Sequence, residues 1–207
     1  MSIDLLVVDS EPDLDAVVAF GGIPDVPAGI VFAWPTCASC DGPLQYLGRV
    51  PHPVDPSKRV LVFMCGNDPG MCDEWDAEGG GNLALVVDAT GRVSPATPPA
   101  DGVTSLDGTW SGHVVQVDAS SYWEALDMSL DVATGRQILG LLRGQPVWIQ
   151  GDETPTCPAC GQPMMLAAQL EEGPDHRTAM NFGDAGCGYV FACACPADQA
   201  RFLWQCG

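Results

Sequence analysis

Short apolar runs recur along the chain, each closed off by turn-forming residues. Segments 60–65 and 83–87 are apolar with hardly a polar break, which predicts buried strands. The wider stretches 59–65, 83–88, 113–118, 164–171 and 188–195 all read as strands bounded by Gly, Pro, Asn or Asp. Helical spacing is rarer. Segments 122–130 and 136–142 predict short helices, the second capped by Gly144. Gly79-Gly80-Gly81-Asn82 predicts a loop, and the Pro-rich segment from Ser94 to Gly102 predicts another, exposed one. The pattern predicts a β-rich α+β fold.

Composition sharpens this picture. The 207 residues are 46% hydrophobic, enough to bury a core and to exclude disorder of the whole chain. There are 27 acidic residues against 8 basic ones, a formal net charge of −19, and Lys58 is the only lysine. Such a chain repels phosphate backbones and anionic membranes, so non-specific nucleic-acid binding and membrane-surface binding are disfavoured. The same charge steers basic partners toward it. The apolar run near the N-terminus has acids on both sides and no basic segment before it, unlike a signal peptide. No run reaches the roughly 18 to 20 residues needed to span a bilayer. These features predict a soluble, cytoplasmic protein, a compartment in which cysteines ligate metal more readily than they form disulfides.

The ten cysteines fall into two groups. Cys37-x-x-Cys40 is followed by Cys65 and Cys72. Cys157-x-x-Cys160 is followed by Cys193, Cys195 and Cys206, with Cys187 apart. A two-residue spacer lets two thiolates address one ion from a tight turn, and a second pair from elsewhere completes the tetrahedron that structural Zn2+ adopts. Proline and glycine flank both pairs, as such turns require. Two structural zinc sites are expected. A redox pair of the thioredoxin kind would open a helix, which neither pair does.

A shift of 120 positions superposes Cys37, Cys40, Pro43, Leu44 and Val50 on Cys157, Cys160, Pro163, Met164 and Leu170. With small length changes, Gly22-Ile23-Pro24 matches Gly144-Gln145-Pro146, and Val62-Phe63-Met64-Cys65 matches Val190-Phe191-Ala192-Cys193. A duplicated zinc-knuckle unit packed about a pseudo-two-fold is the simplest account, with units at 1–118 and 119–207 sharing one core. The expected ligands are Cys37, Cys40, Cys65 and Cys72 in the first unit, and Cys157, Cys160, Cys193 and Cys206 in the second. Cys195 competes for the second set, because Cys193 and Cys195 would share one face of a strand. Cys187 has no counterpart and is read as a buried thiol.

No phosphate-binding glycine loop, His-Glu-x-x-His, Gly-x-Ser-x-Gly or dinucleotide fingerprint is present. His52, His113 and His176 read as surface or capping residues. The acids at 73–78 and 171–175 read as solvated loop charge, and Asp184 as the cap of a tight turn at 182–186. Trp34, Trp75, Trp148 and Trp204 are expected to wall the zinc knuckles. Trp110 and Trp123 belong either to the core, the preferred reading, or to an apolar binding patch.

Several of these segments resemble YwqG-like proteins: Phe20-Gly21-Gly22-Ile23-Pro24, Trp34-Pro35-x-Cys37-x-x-Cys40, Cys157-Pro158-x-Cys160-Gly161, Phe182-Gly183-Asp184 and Phe202-Leu203-Trp204-Gln205-Cys206. The resemblance covers most of the chain outside roughly 76–140, although Arg143 stands where the first glycine of the pair is expected. That family is similar to the programmed-cell-death-2 and Tsr-type ribosome-assembly proteins, which act as chaperones of a basic ribosomal protein. With the acidity and the absence of catalytic motifs, the resemblance implies a zinc-stabilised, chaperone-like binder of a basic client protein and not an enzyme, although an RNA-processing role is also suggested for the wider group. Two alternatives stand beside it. One is an RNase-like nucleic-acid-processing enzyme using Asp184, His176 or the acidic clusters; the other is a protein that neutralises a toxin.

Overall fold

Along Val60-Leu61-Val62-Phe63-Met64-Cys65 alternate side chains enter two different cores, which is why the run carries no polar face. Val60, Val62 and Met64 pack with Leu6, Phe20, Trp110, Leu139, Val190 and Phe202, whereas Leu61, Phe63 and Cys65 pack with Cys37, Tyr46 and Cys72. The same division holds for Val190 and Ala192 against Tyr189, Phe191 and Cys193. Period-two alternation thus places each cysteine that follows a strand on the same face as the aromatic residues before it.

The structure is a computed structural model that describes residues 2–129 and 137–207. Its elements are β1 (Ser2–Val8), β2 (Val18–Phe20), β3 (Asp25–Pro27), β4 (Gln45–Pro51), β5 (Lys58–Met64), β6 (Asn82–Asp88), β7 (Val93–Pro95), β8 (Trp110–Asp118), α1 (Tyr122–Ser129), β9 (Ile138–Leu142), β10 (Met165–Leu170), β11 (Cys187–Ala192) and β12 (Ala200–Gln205). Ten strands form one sheet in the order β12-β11-β10-β9-β1-β8-β2-β4-β5-β6, and β3 pairs with β7 in a separate ribbon. Every pairing in the large sheet is antiparallel. The sheet curls until its two end strands, β6 and β12, pack against each other. There the Trp204 amide donates to the Trp75 carbonyl at 3.2 Å, and the two indoles meet edge to face at 6.3 Å. The result is a near-closed, barrel-like sheet. Each of its ten strands sends residues into the shared interior cluster, and the other two clusters lie on the outside.

Outward from the central β1–β8 pair the sheet reads β8-β2-β4-β5-β6 to one side and β1-β9-β10-β11-β12 to the other. The irregularities match as well. The β4–β5 register slips between Tyr46 and Gly48, and the β10–β11 register slips between Leu166 and Ala168. Gly21 (φ 72°) donates its amide to Leu47, and Arg143 (φ 62°) donates to Ala167.

The α+β expectation is overturned, because among the described residues the sheet dominates and α1 is the single α-helix. The helix expected over 136–142 is instead β9, with Arg136 outside the described residues. Ile138-Leu139-Gly140-Leu141-Leu142 is buried throughout, so its pattern holds no period to separate helix from strand. The other expected helix forms as α1, and Leu130 lies outside the described residues. Its start is secured by Ser121 Oγ, which accepts from the Glu124 amide at 3.1 Å, while the Glu124 carboxylate accepts from the Ser120 amide at 2.7 Å. The expected 94–102 loop begins inside β7, and Ala96 is buried, held by its amide to the Pro24 carbonyl at 2.9 Å.

Candidate metal centres

Each Cys-x-x-Cys pair sits on the same turn. The Cys37 amide donates to Gly42, Asp41 donates back to Cys37, and Leu44 donates to Pro35, at 2.8, 3.0 and 2.9 Å. In the other half Cys157 donates to Gln162, Gly161 to Cys157 and Met164 to Pro155, each at 2.8 Å. Thr36 and Pro43 form a β-bridge, as do Thr156 and Pro163. The turn needs one left-handed residue, supplied by Asp41 (φ 58°) and Gly161 (φ 70°). Asp is among the few non-glycine residues that tolerate this conformation.

The remaining sulfurs arrive from the ends of β5 and β11. Cys65 follows β5 and is tied by its amide to Gly81 at 2.7 Å, and Cys193 follows β11 and is tied to Gln199 at 2.9 Å. Cys72 comes from the loop after Cys65. That loop is shaped by buried Glu74, whose carboxylate accepts from the Gly70 and Cys72 amides. Asn82 closes the loop by donating to the Glu74 and Asp76 carbonyls at 2.8 and 3.0 Å.

Two sets of sulfurs converge: Cys37, Cys40, Cys65 and Cys72, and Cys157, Cys160, Cys193 and Cys195, all within 4.8 Å of one another in each set. Close pairs are Cys40–Cys65 at 3.7 Å, Cys157–Cys195 at 3.8 Å and Cys160–Cys193 at 3.5 Å. A disulfide would bring sulfurs to about 2.05 Å. Four thiolates around Zn2+ at about 2.3 Å stand about 3.8 Å apart along each tetrahedral edge. The donor set and its spacing therefore fit a closed four-sulfur metal site in each half.

Cys195 joins the second set and Cys206 does not. β12 runs antiparallel to β11, with Gln205 opposite Cys187 and Ala200 opposite Ala192. Cys206 is thereby carried to the end of β11 away from Cys193, about 20 Å along a strand of this length. It lies against Gly183, whose added Cβ would meet Cys206 Sγ at 3.2 Å. Cys195 reaches the cluster by a tight turn in which its own amide donates to Cys193 Sγ at 3.4 Å. Cys187 is the buried thiol expected of it, hydrogen-bonded to Glu171 Oε2 at 3.6 Å.

The sulfurs are electrostatically unequal. Burial works to raise the Cys157 thiol, but the Ala159 and Cys160 amides aimed at it bring it down to about 7. Cys37 is lowered in the same way, against its burial, by the Cys40 and Ser39 amides. Across each cluster the partners go the other way: burial and the neighbouring thiols raise Cys72, and they push Cys193 up to about 12 despite the Cys195 amide. Asn67 Nδ2 adds a donor toward Cys65 Sγ at 3.5 Å and Cys40 Sγ at 3.8 Å.

Of the tryptophans expected around these sites, Trp34 and Trp148 are there. Trp34 donates Nε1 to the Leu44 carbonyl at 2.8 Å and packs edge-on to Phe63. Trp148 stacks on Phe191 at 5.8 Å. Trp75 and Trp204 instead close the β6–β12 seam. Trp110 is core, stacked on Phe20 at 5.6 Å, and Trp123 is 60% exposed.

The histidines do not gather. His52 is buried, its Nδ1 accepting from the Val54 and Asp55 amides, as a cap. His113 meets Asp9 at 2.6 Å and exposed His176 meets Asp175 at 3.5 Å. The turn at 182–186 is capped by Asn181, whose Oδ1 accepts from Gly183 at 3.2 Å, whereas Asp184 contributes its backbone carbonyl to Gly207. Among the described residues no helix is long and apolar enough to cross a membrane. The chain matches no protein-family model and no curated protein sequence.

Proposed function

We propose that this protein is a zinc-stapled binding module for a basic protein client. The observation that carries the reading is the pair of four-sulfur clusters, each closed by protein ligands alone. Four protein ligands characterise structural zinc, whereas catalytic zinc keeps one position open for water or substrate. Bound there, Zn2+ would tie each knuckle to the end of a sheet strand and add its binding energy to folding. The net charge of −19 supplies long-range attraction for a basic partner.

The resemblance to YwqG-like proteins supports the same reading, and so does the matched order of β1-β2-β4-β5-β6 and β8-β9-β10-β11-β12. We read these as two related units that have exchanged their first strands, with the division ahead of β8. The test is binding of the zinc-loaded chain to a defined basic protein, such as protamine, across a salt series, with metal content measured on the same sample. Two zinc ions per chain and salt-sensitive protamine binding are expected. A chain that holds no zinc after purification without chelator overturns the staple, and absence of protamine binding at low salt overturns the client.

A further inference from the structure

A cavity of about 630 Å³ opens between α1, the loop at 147–149 and the outer face of β10–β11. This is within the usual range of small-ligand pockets. Its walls include Tyr122, Trp123 and Trp148, and Glu171, Gln169 and Cys187 line it as well. Tyr122 and Trp123 meet at 5.5 Å between ring centroids, and Trp148 is braced by Tyr189 at 4.5 Å.

The half-buried carboxylate of Glu171 is held by neutral donors on both oxygens. Tyr122 OH donates to Oε1 at 2.8 Å and the Cys187 thiol to Oε2 at 3.6 Å. Gln169 fixes the far side of that thiol, with Nε2 3.9 Å from Cys187 Sγ and Oε1 accepting from the Val147 amide at 2.8 Å. Burial and the Glu171 charge keep both the phenol and the thiol protonated, so they orient the carboxylate without neutralising it. Among the described residues no lysine or arginine lines the cavity, and Glu171 has no ion-pair partner. A fixed, partly desolvated anion beside two indoles and a phenol is complementary to an organic cation, which gains both from the carboxylate and from the aromatic faces.

We propose that this cavity receives the cationic end of an arginine or lysine side chain of the basic client. The occupant, though not the geometry, rests on the binding-module reading above. The chain's six tryptophan indole N–H signals give a site-resolved readout by NMR in the zinc-loaded protein. The probe is the peptide Gly-Ser-Arg-Ser-Gly, compared with its twin carrying neutral citrulline in place of arginine.

Saturable shifts centred on the Trp123 and Trp148 indoles are expected, with affinity at least tenfold lower for the citrulline twin and for E171Q, and several-fold lower for W123A. Trp123 is largely exposed, so W123A should keep the fold even if E171Q does not. Equal response to the two peptides, or an unchanged response in E171Q and W123A, overturns the site. Protamine binding measured alongside separates the two readings. If protamine binds wild type, E171Q and W123A alike, the client stands and the site falls. Peptide shifts that depend on Glu171, without any protamine binding, keep the cation site and remove the client.

Discussion

Cys195 and Cys206 are rivals for one ligand position on sequence grounds, and a single serine substitution in each separates them. C195S should lower bound zinc from two ions per chain toward one, while C206S should leave it at two, read by metal analysis of the purified variants. Cys187 differs from both. Burial and the neighbouring Glu171 carboxylate push its thiol up to about 12. At pH 8 only roughly one molecule in ten thousand then carries the reactive thiolate. Iodoacetamide at that pH should modify half-exposed Cys206 well before Cys187, with Cys187 labelling rising as pH is raised; equal rates by mass spectrometry would contradict the environment described. The sign of the stability effect follows. Because the folded pKa lies above the unfolded value, what Cys187 contributes is complete below about pH 8.5 and drains away as pH rises toward 12. Residues of this kind differ in how far the sequence exposes them. Seven of the eight clustered cysteines follow from spacing and the internal repeat: two thiols on each turn, one at each strand end, and Cys72 as the next thiol after Cys65. The eighth depends on recognising β12 as a strand: the seven residues between β11 and β12 are too few for a parallel crossover, so the chain returns antiparallel and carries Cys206 away from Cys193. Glu74, expected with the other 73–78 acids to be solvated charge, is buried instead, because the Gly70 and Cys72 amides just before it occupy its carboxylate; Asn67 joins Cys65 to Cys40, 27 positions earlier, which only folding brings near.

At the scale of elements, β9 shows how two-sided burial conceals a strand. Its five residues are all buried, and Gly140 allows the β9 and β10 backbones to approach closely. With φ at +125°, an added Cβ at Gly140 would stand 1.9 Å from the Gln169 carbonyl oxygen. Gly140, inside the segment expected to be helical, is here the condition for pairing. G140A should destabilise the protein by more than about 3 kcal/mol, combining backbone strain with a displaced strand. G91A serves as the control, since no atom lies within 4 Å of its added Cβ, and it should stay within about 0.5 kcal/mol. Denaturant midpoints of the zinc-loaded variants check both, and similar midpoints would mean that β9 does not pack as described. The five expected strands were readable because turn residues bracket them. β2, β3 and β7 have three residues each, too few for a period to declare itself.

At the scale of the whole molecule, the position of β1 and β8 decides how the chain can come apart. β1 lies between β8 and β9, and β8 lies between β1 and β2, so each half supplies the strand that completes the other. A fragment of residues 1–107 leaves β2 without β8, and β1 without either neighbour. It should fail to fold alone, yet combine with 108–207 on co-expression into a complex holding two zinc ions. A monomeric, zinc-loaded 1–107 fragment with the cooperative unfolding of a folded domain would contradict this. The seam between β6 and β12 adds a consequence of another kind. Because these two edges fit one another within a molecule, they would fit equally well between molecules if the curl opened. An exposed β12 would then offer itself to the β6 of a neighbour, whose own β12 would be left free for the next. Two opened molecules could satisfy each other as a swapped pair, and a longer run would end as a ring or continue as a fibre, so Trp75 and Trp204 guard the boundary between the single closed molecule and such assemblies.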